Sequence, residues 1–231
     1  MRIYFLVEGQ VSEVELYPFW ISKMIPALTK VDSLPEINDN TFYLVSGYGY
    51  PSMKDKNNIL NSFNEINKNG TFNYFVICLD GDDVGVEGKI AEIEAYIAAK
   101  GLTLSEHCQL VIIVQSPCIE TWLLGSRKFY PAEIKNRNFI SHRDHYSVAE
   151  KDPQLMPINP SYNLPVSKYH CVYLIEMLKP GVKYSKSNPK GVMKDEYLKD
   201  LLQRLEDEPL HLDSLKNFID FCKKVNSEIN L

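Results

Sequence analysis

Tyr74-Phe75-Val76-Ile77-Cys78-Leu79-Asp80-Gly81-Asp82-Asp83 decides the fold. An apolar run rich in aromatic and β-branched residues stops abruptly in carboxylates, as a strand buried on both faces does where it reaches solvent. Ile3-Tyr4-Phe5-Leu6-Val7-Glu8-Gly9 repeats the pattern, and shorter runs at 42–45 and 110–114 extend it to four strands. Between the first two, 13–28 places Val14, Leu16, Tyr17, Phe19, Trp20, Met24 and Ile25 at helical spacing despite Pro18. Ser12 with Glu15 three residues on supplies a capping-box start. A weaker helix is predicted at 57–67 and a better one at 89–100, closed by Gly101 at the position after the cap. The fourth strand runs into Ser116-Pro117-Cys118-Ile119-Glu120, where Ser116 suits a helix cap and Pro117 the first helical residue. This β-α alternation predicts an α/β fold: a mainly parallel, Rossmann-like sheet, helices on both faces, ligands at the carboxyl ends of the strands.

Past Tyr130 the pattern changes. Pro153, Pro157, Pro160 and Pro165 punctuate an aperiodic stretch, 149–165, that reads as a long surface loop. Helical periodicity returns at 166–178, 192–205 and 212–225. The expected division is a core at 1–130 and a loop-rich, helical C-terminal extension at 131–231.

A net charge of −5 excludes a molecule that attracts nucleic acid over its whole surface, so any such partner is held locally. The five cysteines are odd in number and show no C-x-x-C spacing, which favours a reducing compartment over disulfides or zinc. His142 and His145 have no third ligand at zinc-like spacing. The run 110–114 is far below the roughly 18 apolar residues of a membrane helix. Met1 leads directly into a strand-like run without a cleavage site, so no signal peptide is expected. These features predict a soluble, cytoplasmic protein with no membrane partner.

Glu8 ends the first strand, and Gly9 permits close approach to the backbone there. Asp80 and Asp82 follow the third strand two residues apart and point the same way if extended geometry persists. Glu120 falls in the first turn after the fourth strand, and Glu13 opens the first helix. A single turn acid is ordinary loop chemistry. Several on one sheet edge raise one another's pKa, and a divalent cation is the usual relief. Glu8, Asp80, Asp82 and Glu120, with Glu13 and Asp83 behind them, are the candidate metal ligands.

Val7-Glu8-Gly9 followed by Asp80-Gly81-Asp82 resembles the Toprim signature of a glutamate and a D-x-D pair. Resemblance to the OLD-type nucleases and to small RloB-like stand-alone Toprim proteins extends to Glu13 and to Ser116-Pro117-Cys118-Ile119-Glu120-Thr121-Trp122-Leu123, across about residues 3–125. The family's second glutamate usually falls one residue earlier, where this chain has Ser12. The resemblance implies Mg²⁺ or Mn²⁺ on Glu8, Asp80 and Asp82, and phosphodiester cleavage of DNA or RNA, tRNA included. Glu8 is either a ligand or a general base.

From Lys179 to Lys194 there are five lysines and no acid. Lysines neutralise phosphates and stabilise developing charge. Tyr184-Ser185-Lys186 resembles a Y-x-K element of the small Toprim proteins, which makes Lys186 the leading catalytic lysine, with Lys183 and Lys190 as further nucleic-acid contacts. A second basic stretch, Arg127, Lys128, Lys135, Arg137, His142 and Arg143, reads more simply as surface decoration. Gly85-Val86-Glu87-Gly88-Lys89 fails as a phosphate loop, because Asp83 and Ile90 stand where that pattern needs Gly and Ser or Thr. Trp20 and Trp122 read as core. The family's ATPase, where one takes part, is therefore expected on a separate chain, in the manner of an anti-phage defence system. The alternative is a non-catalytic module that binds Mg²⁺ or a partner protein. Oligomeric state stays open.

Overall fold

A computed structural model describes residues 1–131, 133 and 136–230. Among them, β1 (Arg2–Val7), β2 (Thr29–Val31), β3 (Thr41–Ser46), β4 (Tyr74–Asp80) and β5 (Gln109–Gln115) form one parallel sheet in the order β2-β3-β1-β4-β5. The pleat sends alternate side chains to opposite faces. Ile3, Phe5, Val7, Tyr74, Val76 and Cys78 enter one core with Leu16, Tyr17 and Trp20 of α1 (Ser12–Met24). Tyr4, Leu6, Phe75, Ile77 and Leu79 enter the other, with Ile59, Phe63 and Ile66 of α3 (Asn58–Asn69) and Ile93 of α4 (Gly85–Ala99). Helices thus cover both faces, which is why β1 and β4 are apolar throughout rather than alternating.

The strand order creates the binding crevice. From β1 the chain turns through α1 towards β2 and β3, whereas from β4 it turns through α4, on the opposite face, towards β5. The neighbouring strands β1 and β4 therefore send their connections apart, and ligands of open α/β sheets bind where such connections diverge. Glu8 and Asp80 flank that point.

The C-terminal helices complete the first core. Phe218 of α9 (Asp213–Ile229) stacks on Trp122 of α5 (Ile119–Leu123) at 6.0 Å and meets Tyr17 edge-on at 5.1 Å. Phe221 packs against Phe5 and Tyr74. Met177 and Leu178 of α7 (Val166–Leu178) and Leu201 of α8 (Asp195–Asp207) join the same cluster. Arg204 is buried here and donates to the carbonyls of Gly125, Val148 and Lys151, tying three loops together.

Several boundaries differ from the sequence pattern. The first helix stops at Met24, and Thr29–Val31 is instead an edge strand. The capping box does not form: the cap is Val11, and the Ser12 hydroxyl donates to the Lys186 carbonyl. Cys118, not Ser116, takes the cap position of α5, and Pro117, joined to Ser116 by a cis peptide, lies outside the helix. Two short helices, α2 (Tyr50–Asp55) and α6 (Arg137–His145), were not anticipated. The predicted 192–205 helix begins only at Asp195, behind a single 3₁₀ turn. Residues 149–165 lack regular structure apart from one 3₁₀ turn, as expected, yet the stretch is not merely draped over the surface. Asp152 is buried there and accepts the Leu212 N–H. No helix among the described residues is long and apolar enough to cross a membrane.

Candidate active site

The carboxyl ends of β1 and β4 open into a cleft of about 380 Å³ lined by Glu8, Glu13, Asp80 and Lys186, with Gly9, Ser12 and Gly49. A larger depression of about 620 Å³ lies away from this edge, between Glu133, Asn136, Lys179 and Pro180, and brings no acid cluster with it.

Glu8 is held rigidly. Its two carboxylate oxygens accept the backbone N–H of Asp80 at 3.0 Å and of Tyr50 at 3.1 Å. Glu13 reaches back from the first turn of α1 into the space above Gly9: a Cβ on Gly9 would lie 1.7 Å from its Oε2. That is the clearest reason for glycine at this position, since nothing larger leaves room for the second glutamate. Glu120, fully buried in the first turn of α5, accepts the Tyr184 hydroxyl at 3.0 Å on Oε1, and the Lys186 ammonium stands 3.5 Å from the same atom. Ser12 anchors the Lys186 backbone, so the start of α1 and the lysine segment close on the cleft together.

These acids perturb one another. Burial, then the charges of Glu13, Glu8 and Glu120, push the Asp80 carboxyl well above the ordinary range. Burial, reinforced by Glu120 and Glu8, raises Glu13 to about 7. Burial also raises Glu8, opposed by its two backbone donors and reinforced by Asp82. Burial alone would lower Lys186, but Glu120 and Asp80 outweigh it and hold the ammonium above its usual value. Asp80 Oδ1 and Glu120 Oε2 are buried without a hydrogen-bond partner. Unpartnered buried carboxylate oxygens are costly, and a cation is a chemically apt partner. Among the described residues, however, no three acidic, histidine or cysteine side chains converge as a ready-made coordination set. The commitment of both Glu8 oxygens to backbone donors is one physical reason.

Asp82 does not point with Asp80. Its backbone is left-handed, φ 45°, which ends the extended geometry, and its carboxylate swings to the exposed rim. There it accepts the Ser167 hydroxyl at 2.8 Å and faces the Lys89 ammonium at 3.9 Å. Asp83 is exposed on the same turn, outside the cleft lining. Lys183 and Lys190 are exposed on either side of the tight 185–188 turn, outside the cleft lining. In the second basic stretch Arg127 pairs with Glu208 at 3.1 Å, Lys128 with Glu196 at 3.2 Å and Arg143 with Asp144 at 2.6 Å, as surface decoration requires; His142 does not fit that reading, being fully buried against Tyr162 and Tyr169. Lys135 lies outside the described residues.

Two contributors were not legible in the sequence. Lys89 figures in the sequence only as the start of a predicted helix and in the failed phosphate-loop pattern, yet it is buried, 3.9 Å from the centre of the Tyr50 ring and 3.5 Å from Glu92. Tyr184 enters the sequence reading as the first residue of the Y-x-K element with no role of its own, yet its hydroxyl orients Glu120. The Y-x-K spacing was the one signal for it. Comparison with protein-family models, with curated proteins and with solved structures returns no match.

Proposed function

We propose that this chain is a divalent-metal-dependent, Toprim-like nuclease that hydrolyses phosphodiester bonds of DNA or RNA. The observation that carries the reading is that Glu8, Glu13 and Asp80 line one cleft beside the charged Lys186, with Glu120 buried near enough to raise Asp80 and Glu13, and that Asp80 and Glu120 each keep an unpartnered buried oxygen. Glu8, Glu13, Asp80 and Glu120 would hold Mg²⁺ or Mn²⁺, with Asp82 contributing from the rim. Such an ion, when bound, lowers the pKa of a water and neutralises phosphate charge. The protein's own parts have separable tasks. Glu8 is fixed in orientation by backbone donors, as a ligand or a general base must be. Lys186 stays cationic at neutral pH and is half-exposed, so it can face a phosphate oxygen while Glu120 and Tyr184 hold its position. The family resemblance adds a separate ATPase chain as activator.

The second reading, an acidic-edged module that binds a cation or a partner protein without chemistry, is favoured by the engagement of both Glu8 oxygens with backbone N–H donors, which leaves neither wholly free to act as a base. Incubation of labelled nucleic acid with Mn²⁺ and either wild type or Glu8→Gln separates the two. Metal-dependent cleavage lost in Glu8→Gln supports the nuclease; Mn²⁺ binding with no cleavage by either protein supports the module.

A further inference from the structure

Tyr48 is the one aromatic side chain among the described residues that is exposed, at 60%. It sits in the loop after β3, on the strand-end edge that carries the acids. Its backbone is left-handed, φ 58°, an outlier for a bulky residue and one that persists only where the surroundings enforce it. The enforcement is visible. Gly47 N–H donates to the Val7 carbonyl at 2.7 Å, Gly49 N–H to the Glu8 carbonyl at 2.9 Å, and Tyr48 N–H to Ser46 Oγ at 3.1 Å. Behind the loop Met53 packs so closely that a Cβ on Gly47 would lie 2.4 Å from its Cγ. The ring is therefore presented to solvent by a loop stitched to the two residues that end β1.

Its surroundings suit one kind of ligand. Val11 and Val84, exposed at 37% and 49%, stand on the loops after β1 and β4, so three adjacent strand ends each put an apolar group on the rim of an acidic cleft. The other exposed large apolar residues, Leu155 and Leu210, lie far along the chain in the C-terminal extension. The neighbouring Tyr50 is already engaged, with the Lys89 and Lys54 ammonium groups 3.9 and 4.5 Å from its ring centre and its hydroxyl on Glu92. Tyr48 alone has a free face. A free aromatic ring on the rim of a cleft that also holds the Lys186 ammonium is the pattern that captures an unpaired nucleotide, the phosphate by charge and the base by stacking.

We propose that Tyr48 is a stacking platform for an unpaired nucleobase next to the scissile phosphate, which makes single-stranded nucleic acid, or a loop within a folded one, the substrate class. This rests on the nuclease reading for the word scissile; the stacking contact itself does not. In a duplex both faces of a base are occupied, so a paired strand offers the ring nothing.

The test is binding of 12-residue single strands of DNA and RNA containing 2-aminopurine, and of the matching duplexes, in Ca²⁺, by anisotropy and fluorescence. Wild type and Tyr48→Phe should quench the single strand at one position and leave the duplex unchanged. Tyr48→Gly should weaken single-strand binding about 5- to 150-fold and abolish the quench. It should melt at the same temperature or higher, because glycine accepts the left-handed backbone. The DNA and RNA arms name the sugar. Unchanged binding by Tyr48→Gly, equal quenching in the duplex, or no binding by wild type overturns the inference. Cleavage that persists with Tyr48→Gly binding unchanged removes the stacking contact and leaves the nuclease; quenching without cleavage does the reverse.

Discussion

Glu13→Gln tests the electrostatic heart of the cleft without any substrate. Glu13 is 7% exposed, and its carboxyl is raised from 4.5 to about 7 by burial and by the neighbouring Glu120 and Glu8. A group whose folded pKa lies above its unfolded value contributes stability below the unfolded pKa and loses it as pH rises through the folded one. The window is thus pH 4.5 to about 7. At about 1.4 kcal/mol per pH unit, the displacement corresponds to about 3 kcal/mol lost across the window in metal-free protein. Glutamine keeps the shape and removes the charge. With chelator present, the variant should match wild type near pH 4.5 and exceed it at pH 8 by up to about 3 kcal/mol, roughly 5–10 °C in melting temperature for a chain of this length. Addition of Mn²⁺ at pH 8 should raise the wild-type melt and narrow the gap. Thermal melts at both pH values read the result directly. An equal difference at the two pH values, or none at pH 8, would refute the claim that this carboxylate is held against its neighbours.

Four further outcomes follow from particular contacts. Gly9→Ala should leave the fold intact, because the clash is with the far end of a side chain, yet expel Glu13 from the cleft; it should reproduce the Glu13→Gln melts and weaken Mn²⁺ binding in calorimetry. Tyr184→Phe leaves Glu120 Oε1 facing only Lys186 and should cost about 1–3 kcal/mol by chemical denaturation. His170 is fully buried, with Nδ1 paired to the Thr121 hydroxyl and Nε2 to the Met156 carbonyl, and burial lowers its pKa from 6.5 to about 4. Its contribution is present above pH 6.5 and should be lost as pH falls towards 4, by about 3 kcal/mol, with a histidine NMR titration at the lower value as the check. Phe218→Ala opens a cavity between Trp122 and Tyr17 and should cost about 3–5 kcal/mol, a value near zero being incompatible with α9 as part of the sheet's core.

The fold was legible where burial forces an unbroken apolar run. β1, β3, β4 and β5 each carry one, and their ends are correct to within two residues. β2 has three residues, two of them exposed, and an edge strand that short leaves no periodicity to find. α2 spans six residues and α6 is mostly polar, so neither shows an apolar stripe. Glu8, Asp80, Glu120 and Glu13 could be gathered from the sequence because strand ends share an edge whatever the loops do, whereas Lys186 came only from the Y-x-K resemblance. The direction of Asp82 could not, since it depends on a left-handed backbone that aspartate adopts only in context. Lys89 was hidden for a similar reason: mid-helix lysines usually face water, and only the fold reveals the Tyr50 ring above it.

Cleavage of a mixed panel of plasmid DNA, single-stranded DNA and total tRNA, with Mg²⁺ or Mn²⁺, by wild type and Asp80→Ala would decide the main proposal. The nuclease reading predicts metal-dependent cutting of one substrate class by wild type and none by the variant; equal cutting by both proteins, or cutting that survives chelation, would contradict it.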